Sequence, residues 1–284
     1  MASIEVPRAL VPDDAAALVA LSAEAGWNQT ADDWRVIVSA GAGEAVFIDG
    51  TPVASACAVP LTTRSDWICM VLVTAAARRR GHATRLMARQ IQRIRAAGRV
   101  PGLDATELGR PVYQQLGFAD HFTLSRFRAE APRWTGGPDI DAHLRPMTRD
   151  DLGAIARYDE AATGAARGFL LDHLLARLPA AAMVAQRDDR IVGFAMGRDG
   201  RRATQVGPIV ADDTSIAAAL LAAAGRAIAG PIVLDVRDGA ARFVDGLAAA
   251  GFLRERGFTR MTLGADPMLA RTDRLHAVVG PEFG

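Results

Sequence analysis

The sequence of 284 residues contains no lysine, and all 33 of its basic residues are arginine. The absence excludes chemistry that needs a lysine amine, such as a Schiff base, a lysine general base or a Walker-type phosphate loop. The 33 arginines are balanced by 32 Asp and Glu residues, which gives a net charge of +1. This balance argues against a nucleic-acid-binding protein that relies on a positive field over the whole molecule.

Cysteine and histidine are also scarce. Cys57 and Cys69 lie in apolar stretches, and the five histidines are scattered, so the sequence predicts no metal site. Two cysteines in apolar stretches, with no CxxC pattern, fit a reducing compartment, and we expect a cytoplasmic protein. Charged residues and a proline precede the first apolar run, which is not typical of a signal peptide. The most apolar window, Ile216–Leu234, is interrupted by glycine, arginine and proline, so we expect no membrane span.

The two halves of the chain repeat the same order of patterns. The segment Arg8–Ala15 (RALVPDDA) recurs as Arg145–Leu152 (RPMTRDDL), and the hairpin pattern of Ala45–Val59 recurs at Met183–Met196. A repeat of about half the chain indicates two α+β domains of one fold. A stretch rich in proline and glycine separates them. We therefore expect a domain at residues 1–130, a linker at 131–141 and a second domain at 142–284.

The segment Asp66–Gly98 combines a buried strand, a basic loop and an amphipathic helix. Trp67–Val73 is a continuous apolar run of strand length, and from Gly81 the pattern becomes helical, with apolar side chains on one face and arginines opposite. Eight arginines and no Asp or Glu lie between Trp67 and Leu103. The N-terminus of a helix attracts anions, and a glycine there lets a pyrophosphate approach the backbone. The alternative is that the arginines form only a solvated helix face.

Two motifs then identify a family. The order of Val73, Arg78, Gly81 and Ala83 resembles the acetyl-CoA-binding motif of the GNAT superfamily of N-acetyltransferases, Gln/Arg-x-x-Gly-x-Gly/Ala. Further along, Tyr113–Phe118 (YQQLGF) resembles the second family motif, Tyr-x-x-x-Gly-Phe.

Two shorter stretches resemble one subgroup of that superfamily. These are Leu103–Thr106 (LDAT) and Gly26–Trp34 (GWNQTADDW), and members of the subgroup carry a second, degenerate acetyltransferase-like domain at the C-terminus. The resemblance implies two tandem GNAT-like domains, each with a mixed, mostly antiparallel sheet flanked by helices.

The resemblance also implies the chemistry and the residues that bind acetyl-CoA, the cosubstrate. An amine would attack the thioester directly, without a metal. Tyr113 would protonate the departing thiolate, although a core aromatic with a solvated hydroxyl is the alternative. The backbone of the strand end Val71, Leu72 and Val73 would bind the pantetheine arm. The pyrophosphate would lie in a cradle formed by Arg78, Arg79, Arg80, Gly81, His82, Ala83 and Thr84.

The acceptor site and the general base are less clearly marked. Trp27 and Asn28 are candidate substrate contacts, because in the subgroup this helix-linking segment borders the acceptor site; each could equally be a packed loop anchor. Asp104 is the first candidate for the base, since it ends the strand next to the cofactor strand, although it could instead bind backbone N–H groups in a turn. Glu107 and His121 are further candidates, and a water chain could serve as well.

The second half lacks the features of a cofactor site. After its strand at Gly207–Val210 the equivalent loop carries Asp212 and Asp213, whose charges would repel a pyrophosphate. We expect Asp213 or the next residue to cap a helix instead. Leu247 occupies the position of the tyrosine. The second domain is therefore predicted to be a degenerate copy that does not bind CoA. Asp159, Arg167 and Asp235 resemble positions of the subgroup; we expect them in salt bridges between the domains, and contact with substrate is the alternative.

These features predict an acetyl-CoA-dependent N-acetyltransferase whose acceptor is a small-molecule or amino-acid-like amine. The alternative is a non-catalytic acyl-CoA-binding or sensing module, against which the intact Tyr113 argues. Nucleic acid is not expected as a partner, because the arginine cluster of Arg78–Arg99 has no interleaved aromatic residues. A membrane partner is not expected either.

Overall fold

The computed structural model describes residues 6–134, 139–265 and 273–284. Residues 135–138 of the predicted linker lie outside these ranges. The elements of the first half are β1 (Arg8–Ala9), α1 (Ala15–Glu24), α2 (Ala31–Ala40), β2 (Ala42–Ile48), β3 (Thr51–Pro60), β4 (Ser65–Val73), α3 (His82–Ala96), β5 (Val100–Thr106), α4 (Arg110–Gln115) and β6 (Ala119–Ala129).

The second half repeats this order. Its elements are β7 (His143–Pro146), α5 (Leu152–Thr163), α6 (Gly168–Arg177), β8 (Met183–Arg187), β9 (Arg190–Arg198), β10 (Thr204–Ala211), α7 (Thr214–Arg226), β11 (Ile232–Arg237), α8 (Ala241–Ala249), β12 (Leu253–Thr262) and β13 (Leu275–Val278).

Both predicted hairpins form, and both have a tight turn of the same kind. Asp49 and Gly50 connect β2 to β3 with φ of +48° and +77°, and Asp188 and Asp189 connect β8 to β9 with φ of +46° and +60°. Two successive left-handed residues give the turn whose twist matches that of antiparallel strands. Asp and Gly adopt this conformation more easily than other residues do, which explains the polar turns in the sequence.

The strongest atomic evidence for the repeat is a helix cap that occurs in both halves. Arg8 donates two hydrogen bonds to Asp14, and Asp14 accepts a third from the backbone N–H of Val11. In the second half Arg145 makes the same pair of bonds to Asp151, which also accepts from a backbone N–H at the start of its helix, that of Thr148.

All thirteen strands of the described residues belong to one mixed sheet, in the order β1-β2-β3-β4-β5-β12-β6-β11-β13-β10-β9-β8-β7. The two halves exchange a strand within it. Strand β12 of the second half lies between β5 and β6, and β6 of the first half lies between β12 and β11. The predicted α+β class with two repeated halves is confirmed, and the two expected sheets are edge-to-edge parts of a single one.

The halves also share a hydrophobic core. One cluster of buried side chains contains Trp34 and Trp67 from the first half together with Phe194 and Phe283 from the second. Burying apolar surface from both halves stabilises them as one unit.

A buried carboxylate crosses the same interface. Asp33 is fully buried and lies 2.5 Å from Arg177 Nη1 and 2.6 Å from Arg198 Nη1, both in the second half. Burial alone would raise the pKa of Asp33, but the two guanidinium groups hold it below its usual value. A buried carboxylate with two cation partners ties the halves together, since removing either side would leave a buried charge uncompensated.

Candidate active site

The centre of the site is a gap between two parallel strands. β4 and β5 pair only over Ser65–Trp67, opposite residues 100–102, and beyond Trp67 no pairing joins them. A bulge marks the divergence, because Met70 has φ of +52° and the register with β3 shifts there. Ser55 Oγ fixes the bulge by donating a hydrogen bond to the Met70 carbonyl at 2.7 Å. The edge of β4 that faces β5 therefore has no partner strand at Val71, Leu72 and Val73.

The predicted phosphate loop joins the end of β4 to α3. Arg79 and Gly81 both adopt positive φ, +62° and +77°, and Gly81 is the residue just before the helix. A Cβ built on Gly81 meets nothing within 4 Å, so the space above this residue is open. The first backbone N–H groups of a helix have no partners within it and point out of its end. The arrangement of residues 78–84 fits an anionic ligand such as a pyrophosphate.

Helix α3 has the predicted amphipathic character. Leu86, Met87 and Ile94 are buried against the sheet, whereas Arg85 and Arg89 are exposed. The guanidinium of Arg89 is paired with Glu44 of β2. His82, at the first turn, is buried, and its Nδ1 lies 2.9 Å from Arg85 Nη2. Part of the arginine face is therefore paired within the protein, as Arg89 is with Glu44.

Tyr113 on α4 projects into the gap between the strands. Its ring packs against Phe118 with a centroid distance of 6.0 Å, and its hydroxyl makes no hydrogen bond to any residue that the structure describes. Burial raises the pKa of the Tyr113 hydroxyl above its usual value. The side chain therefore stays protonated at neutral pH and can donate its proton to a group in the gap.

A cavity of about 630 Å³, including its open mouth, lies next to Tyr113. Both halves of the chain form its wall. The first half contributes the diverging strands and the segment between α1 and α2, and the second half contributes β12 and the residues after β13. Its lining residues include Trp27, Gln29, Val71, Asp104, Arg126, Arg256 and Glu282.

The structure pairs Asp104 with an arginine of the exchanged strand. Arg260 of β12 donates from Nε to Asp104 Oδ1 at 3.0 Å and from Nη2 to Oδ2 at 2.9 Å. The same guanidinium lies over the rings of Trp67 and Phe122, 4.7 and 5.0 Å from their centroids. Burial raises the pKa of Asp104, and the Arg260 charge opposes that shift. Asp104 reaches the cavity wall with both oxygens already accepting hydrogen bonds.

The other candidate bases lie in different surroundings. Glu107 is exposed at the surface, and His121 is exposed with its Nε2 2.6 Å from Thr262 Oγ1. Neither lines the cavity. Glu282, which the sequence did not single out, is buried on the cavity wall and is paired with Arg198. Only the fold could reveal Glu282, because no motif links it to the residues around it.

The two predicted acceptor contacts differ in what they touch. Trp27 lines the cavity. Asn28 is buried, and its side chain binds the β9–β10 connection: Nδ2 donates to the Ala203 carbonyl at 2.9 Å, and Oδ1 accepts from the N–H of Arg202 at 2.9 Å. Asn28 thus anchors the first half to the second, and contacts of Trp27 and Asn28 with an acceptor stay predictions.

The salt bridges predicted between the domains are of two kinds. Arg126 and Asp235 form a buried bidentate pair between β6 and β11, and so join the halves as predicted. Asp159 and Arg167 form a second buried pair, but both residues belong to the second half. For that pair the prediction was wrong, because Arg167 folds back onto the helix that precedes it.

In the equivalent loop of the second half, two carboxylates already have hydrogen-bond donors. Asp213 caps α7, accepting a hydrogen bond from the Ile216 N–H at 2.9 Å, as predicted. The Tyr158 hydroxyl donates to Asp212 at 2.9 Å. Leu247, at the position of the tyrosine, is buried in the core. Two carboxylates and a hydrogen-bonded tyrosine thus stand where the first half has an open basic loop.

Cys69 lines the cavity and lies opposite Cys57 in the β3–β4 pair. Burial raises the pKa of Cys57 to about 12 and raises that of Cys69 as well. A thiol that stays protonated is a poor nucleophile.

Residues 6–134, 139–265 and 273–284 hold no group of three or more His, Cys, Asp or Glu side chains placed to bind a metal ion. None of the helices described is long and apolar enough to cross a membrane.

Two family models match the chain. The model described as the acetyltransferase (GNAT) family matches residues 19–118, and the model described as an acetyltransferase (GNAT) domain matches residues 155–277. The first match contains the loop and α3, together with Tyr113. The second falls on the other half, in agreement with the repeat.

Individual relatives resemble the whole chain rather than one half. A holothin acyltransferase of Pseudoalteromonas sp. (strain SANK 73390) is 23% identical over 84% of this chain and 80% of its own. A solved structure from Pyrococcus horikoshii has a TM-score of 0.80 at 18% identity and covers 98% of this chain and 95% of its own. A tandem GNAT protein from the clavulanic acid biosynthesis pathway has a TM-score of 0.65 at 15% identity, covering 92% and 99%.

Proposed function

Because this chain belongs to the GNAT acetyltransferase family, we propose that it uses acetyl-CoA to acetylate a small-molecule or amino-acid-like amine. The observation that carries this proposal is the convergence of three features of the first half. The unpaired edge of β4 and Tyr113 border one gap between β4 and β5, and the open loop before α3 follows directly from the end of β4.

In the proposed reaction, acetyl-CoA lies along the gap. The backbone of residues 78–84 binds its pyrophosphate, with Arg78, Arg79 and Arg80 adding positive charge. The free edge of Val71–Val73 binds the pantetheine arm, and the acetyl group reaches the cavity. Strand edges offer both N–H donors and carbonyl acceptors, which is what an amide-rich arm requires.

The acceptor amine attacks the thioester carbonyl directly. A new C–N bond forms, the C–S bond breaks, and the thiolate of CoA leaves. Tyr113 donates its proton to that thiolate, which its raised pKa allows at neutral pH. An acyl-enzyme on Cys69 is disfavoured, since burial keeps this thiol protonated.

The amine must also lose a proton, and two carboxylates on the cavity wall could accept it. Asp104 remains the proposed base, although Arg260 occupies both of its oxygens. Glu282 is the second candidate on the same wall. The variants Asp104→Asn and Glu282→Gln distinguish them. Loss of the base should abolish the rise of kcat/KM with pH, whereas loss of a positioning residue should lower the rate at every pH and keep the profile.

The proposal is tested by incubating the purified chain with acetyl-CoA and a panel of amines, and by following thiol release together with the mass of the product. Acetylation of at least one amine, with one CoA released per product, is the expected result. Stoichiometric binding of acetyl-CoA without turnover on any amine would favour the alternative, a non-catalytic acyl-CoA-binding or sensing module.

A further inference from the structure

Arg256 on β12 is a cation of the cavity wall without a polar partner among the residues that the structure describes. Its buried Nε–H donates to no acceptor, and its guanidinium makes no ion pair with a described residue. Its Cζ lies 5.1 Å from the centroid of the Phe258 ring. Burial, together with the neighbouring charge of Arg126, lowers the pKa of Arg256.

The other arginines around Arg256 each have a polar partner. Arg126, directly opposite Arg256 in the β12–β6 register, is neutralised by Asp235 at 2.7 Å. Arg128 is paired with Glu130 at 2.6 Å, and Arg202 donates to the Gly26 carbonyl at 2.8 Å. Four arginines and one carboxylate, Glu255, line the small polar recess next to the cavity.

The acidic side chains near Arg256 do not neutralise its positive charge. Glu255, Glu282 and Asp235 attract it at a distance, but none of them forms an ion pair with it. Like charges placed directly opposite on two strands destabilise a sheet, and a half-buried guanidinium without partners costs desolvation energy. A guanidinium in a cavity binds a carboxylate with two parallel hydrogen bonds, which would offset both costs.

We propose that Arg256 binds a carboxylate carried by the acceptor, so that the substrates are amines with a carboxylate group, such as amino acids. The inference rests on the proposed function and narrows its acceptor class. Arg256 and Tyr113 line the same cavity. The carboxylate would therefore be held on the β12 side while the amine faces the thioester, which also sets the direction in which the acceptor enters.

The test compares amino acids with their amides as acceptors, for example glycine with glycinamide and β-alanine with β-alaninamide, across side chains of different size. The ratio of kcat/KM for acid and amide is measured in the wild type, in Arg256→Met and in Arg254→Met. Arg254 lies on the same strand, is exposed and donates to Ser125 outside the cavity. Comparing ratios between variants cancels the different basicity of the two amines.

The expected result is that Arg256→Met lowers the acid-to-amide ratio by about tenfold or more, since a hydrogen-bonded charge pair is lost. Arg254→Met should keep the wild-type ratio. Acetylation of amines with no dependence on the carboxylate, or a preference that survives Arg256→Met, would overturn the inference while the proposed function stands.

Two further measurements separate this inference from the failure of the proposed function. If no amine is acetylated, the proposed function fails, and carboxylate binding by Arg256 is then tested by thermal unfolding. Amino acids should raise the midpoint of thermal unfolding of the wild type and not that of Arg256→Met. The absence of that shift would overturn the inference. Without ligand, Arg256→Met should be at least as stable as the wild type; a marked loss of stability would show that Arg256 is structural.

Discussion

At the scale of single residues, the lack of lysine shapes how this chain holds its buried charges. Asp33, Asp104, Asp159 and Asp235 are all buried, and every one is paired with arginine. Guanidinium groups bind carboxylates through two parallel bonds in a fixed plane, which a lysine ammonium cannot do. Arg256 is the exception, because it lines the cavity and is paired with no carboxylate of a described residue.

The two tyrosines of the chain provide a matched pair for testing the catalytic role. Tyr113→Phe should lower kcat by about a hundredfold or more and leave the affinity for acetyl-CoA almost unchanged, because the hydroxyl is needed only as the thiolate forms. Tyr158→Phe removes a hydroxyl that binds the Val192 carbonyl and Asp212, both in the second half. Tyr158→Phe should lower the free energy of unfolding and leave kcat unchanged. Steady-state kinetics and calorimetric titration check both, and unchanged turnover in Tyr113→Phe would leave Tyr113 with a packing role.

Residue roles could be predicted from the sequence only where a motif marks them. Gly81 and Tyr113 belong to spaced motifs; the structure places Gly81 just before α3 and Tyr113 on the cavity wall, and their roles stay predictions. The position of Asn28 next to the acceptor site predicts a contact with substrate, but its amide binds the backbone of residues 202–203. Arg256 and Glu282 belong to no motif and reach the cavity only through the tertiary fold.

At the scale of elements, the loop and α3 form the unit on which the proposed binding of acetyl-CoA depends. The helix begins and ends next to glycines of similar geometry, Gly81 with φ of +77° and Gly98 with φ of +70°. In both places an added Cβ meets no other atom within 4 Å. A substitution at either glycine therefore carries a similar backbone strain, while only one of them lies where the phosphates would bind.

This symmetry gives a controlled test of the phosphate loop. Gly81→Glu should abolish binding of acetyl-CoA, because it places a bulky negative charge in the anion site. Gly98→Glu should lower the stability by a similar amount and keep the affinity. Calorimetric titration together with thermal unfolding checks both variants. Retained affinity in Gly81→Glu would show that the phosphates bind elsewhere.

The repeated helix cap predicts how stability depends on pH. Hydrogen bonds from Arg145 hold the pKa of Asp151 well below its usual value. The ionised carboxylate therefore stabilises the fold above the pKa of the unfolded chain, near 4, and this contribution is lost as the pH falls through the lower folded value. Asp151→Asn should cost about 1 kcal/mol at neutral pH, and its difference from the wild type should shrink below about pH 4.

Denaturant unfolding at a series of pH values measures this effect. Asp172→Asn is the control, because Asp172 forms only an exposed pair with Arg149 at 3.4 Å and should contribute little. An equal free energy of unfolding for Asp151→Asn and the wild type at neutral pH would contradict the assigned role of the cap.

At the scale of the whole molecule, the strand exchange makes the two halves one folding unit. Removing residues after 130 would take β12 from between β5 and β6, exposing the edges of both strands, and would remove the partners of Asp33 and Asp104. Unpaired strand edges and uncompensated buried charges are both destabilising.

We therefore expect residues 1–130 produced alone to show no cooperative unfolding, and neither should residues 142–284. Produced together, the two fragments should form a folded complex, because the exchanged strands are then available. Circular dichroism and size-exclusion chromatography check this. A fragment 1–130 that unfolds cooperatively and binds acetyl-CoA would contradict the shared-sheet interpretation.

The sequence predicted the local elements of the fold better than their assembly. Periodicity and turn residues mark the hairpins and the amphipathic α3, since these depend on near neighbours in the chain. Which strands pair across the halves depends on contacts between residues more than a hundred positions apart, such as Arg260 with Asp104. A short strand pattern does not encode its partner, so the exchange of β6 and β12 required the structure.

The most direct test of the central claim is calorimetric titration of the intact chain with acetyl-CoA, with stoichiometry recorded as well as affinity. We predict one site per chain, in the first half, because the loop of the second half carries Asp212 and Asp213 where the first has an open basic loop. Gly81→Glu should remove that single site. Two sites per chain would contradict the assignment of the second half as a degenerate copy, and no binding at all would contradict the proposed acetyl transfer.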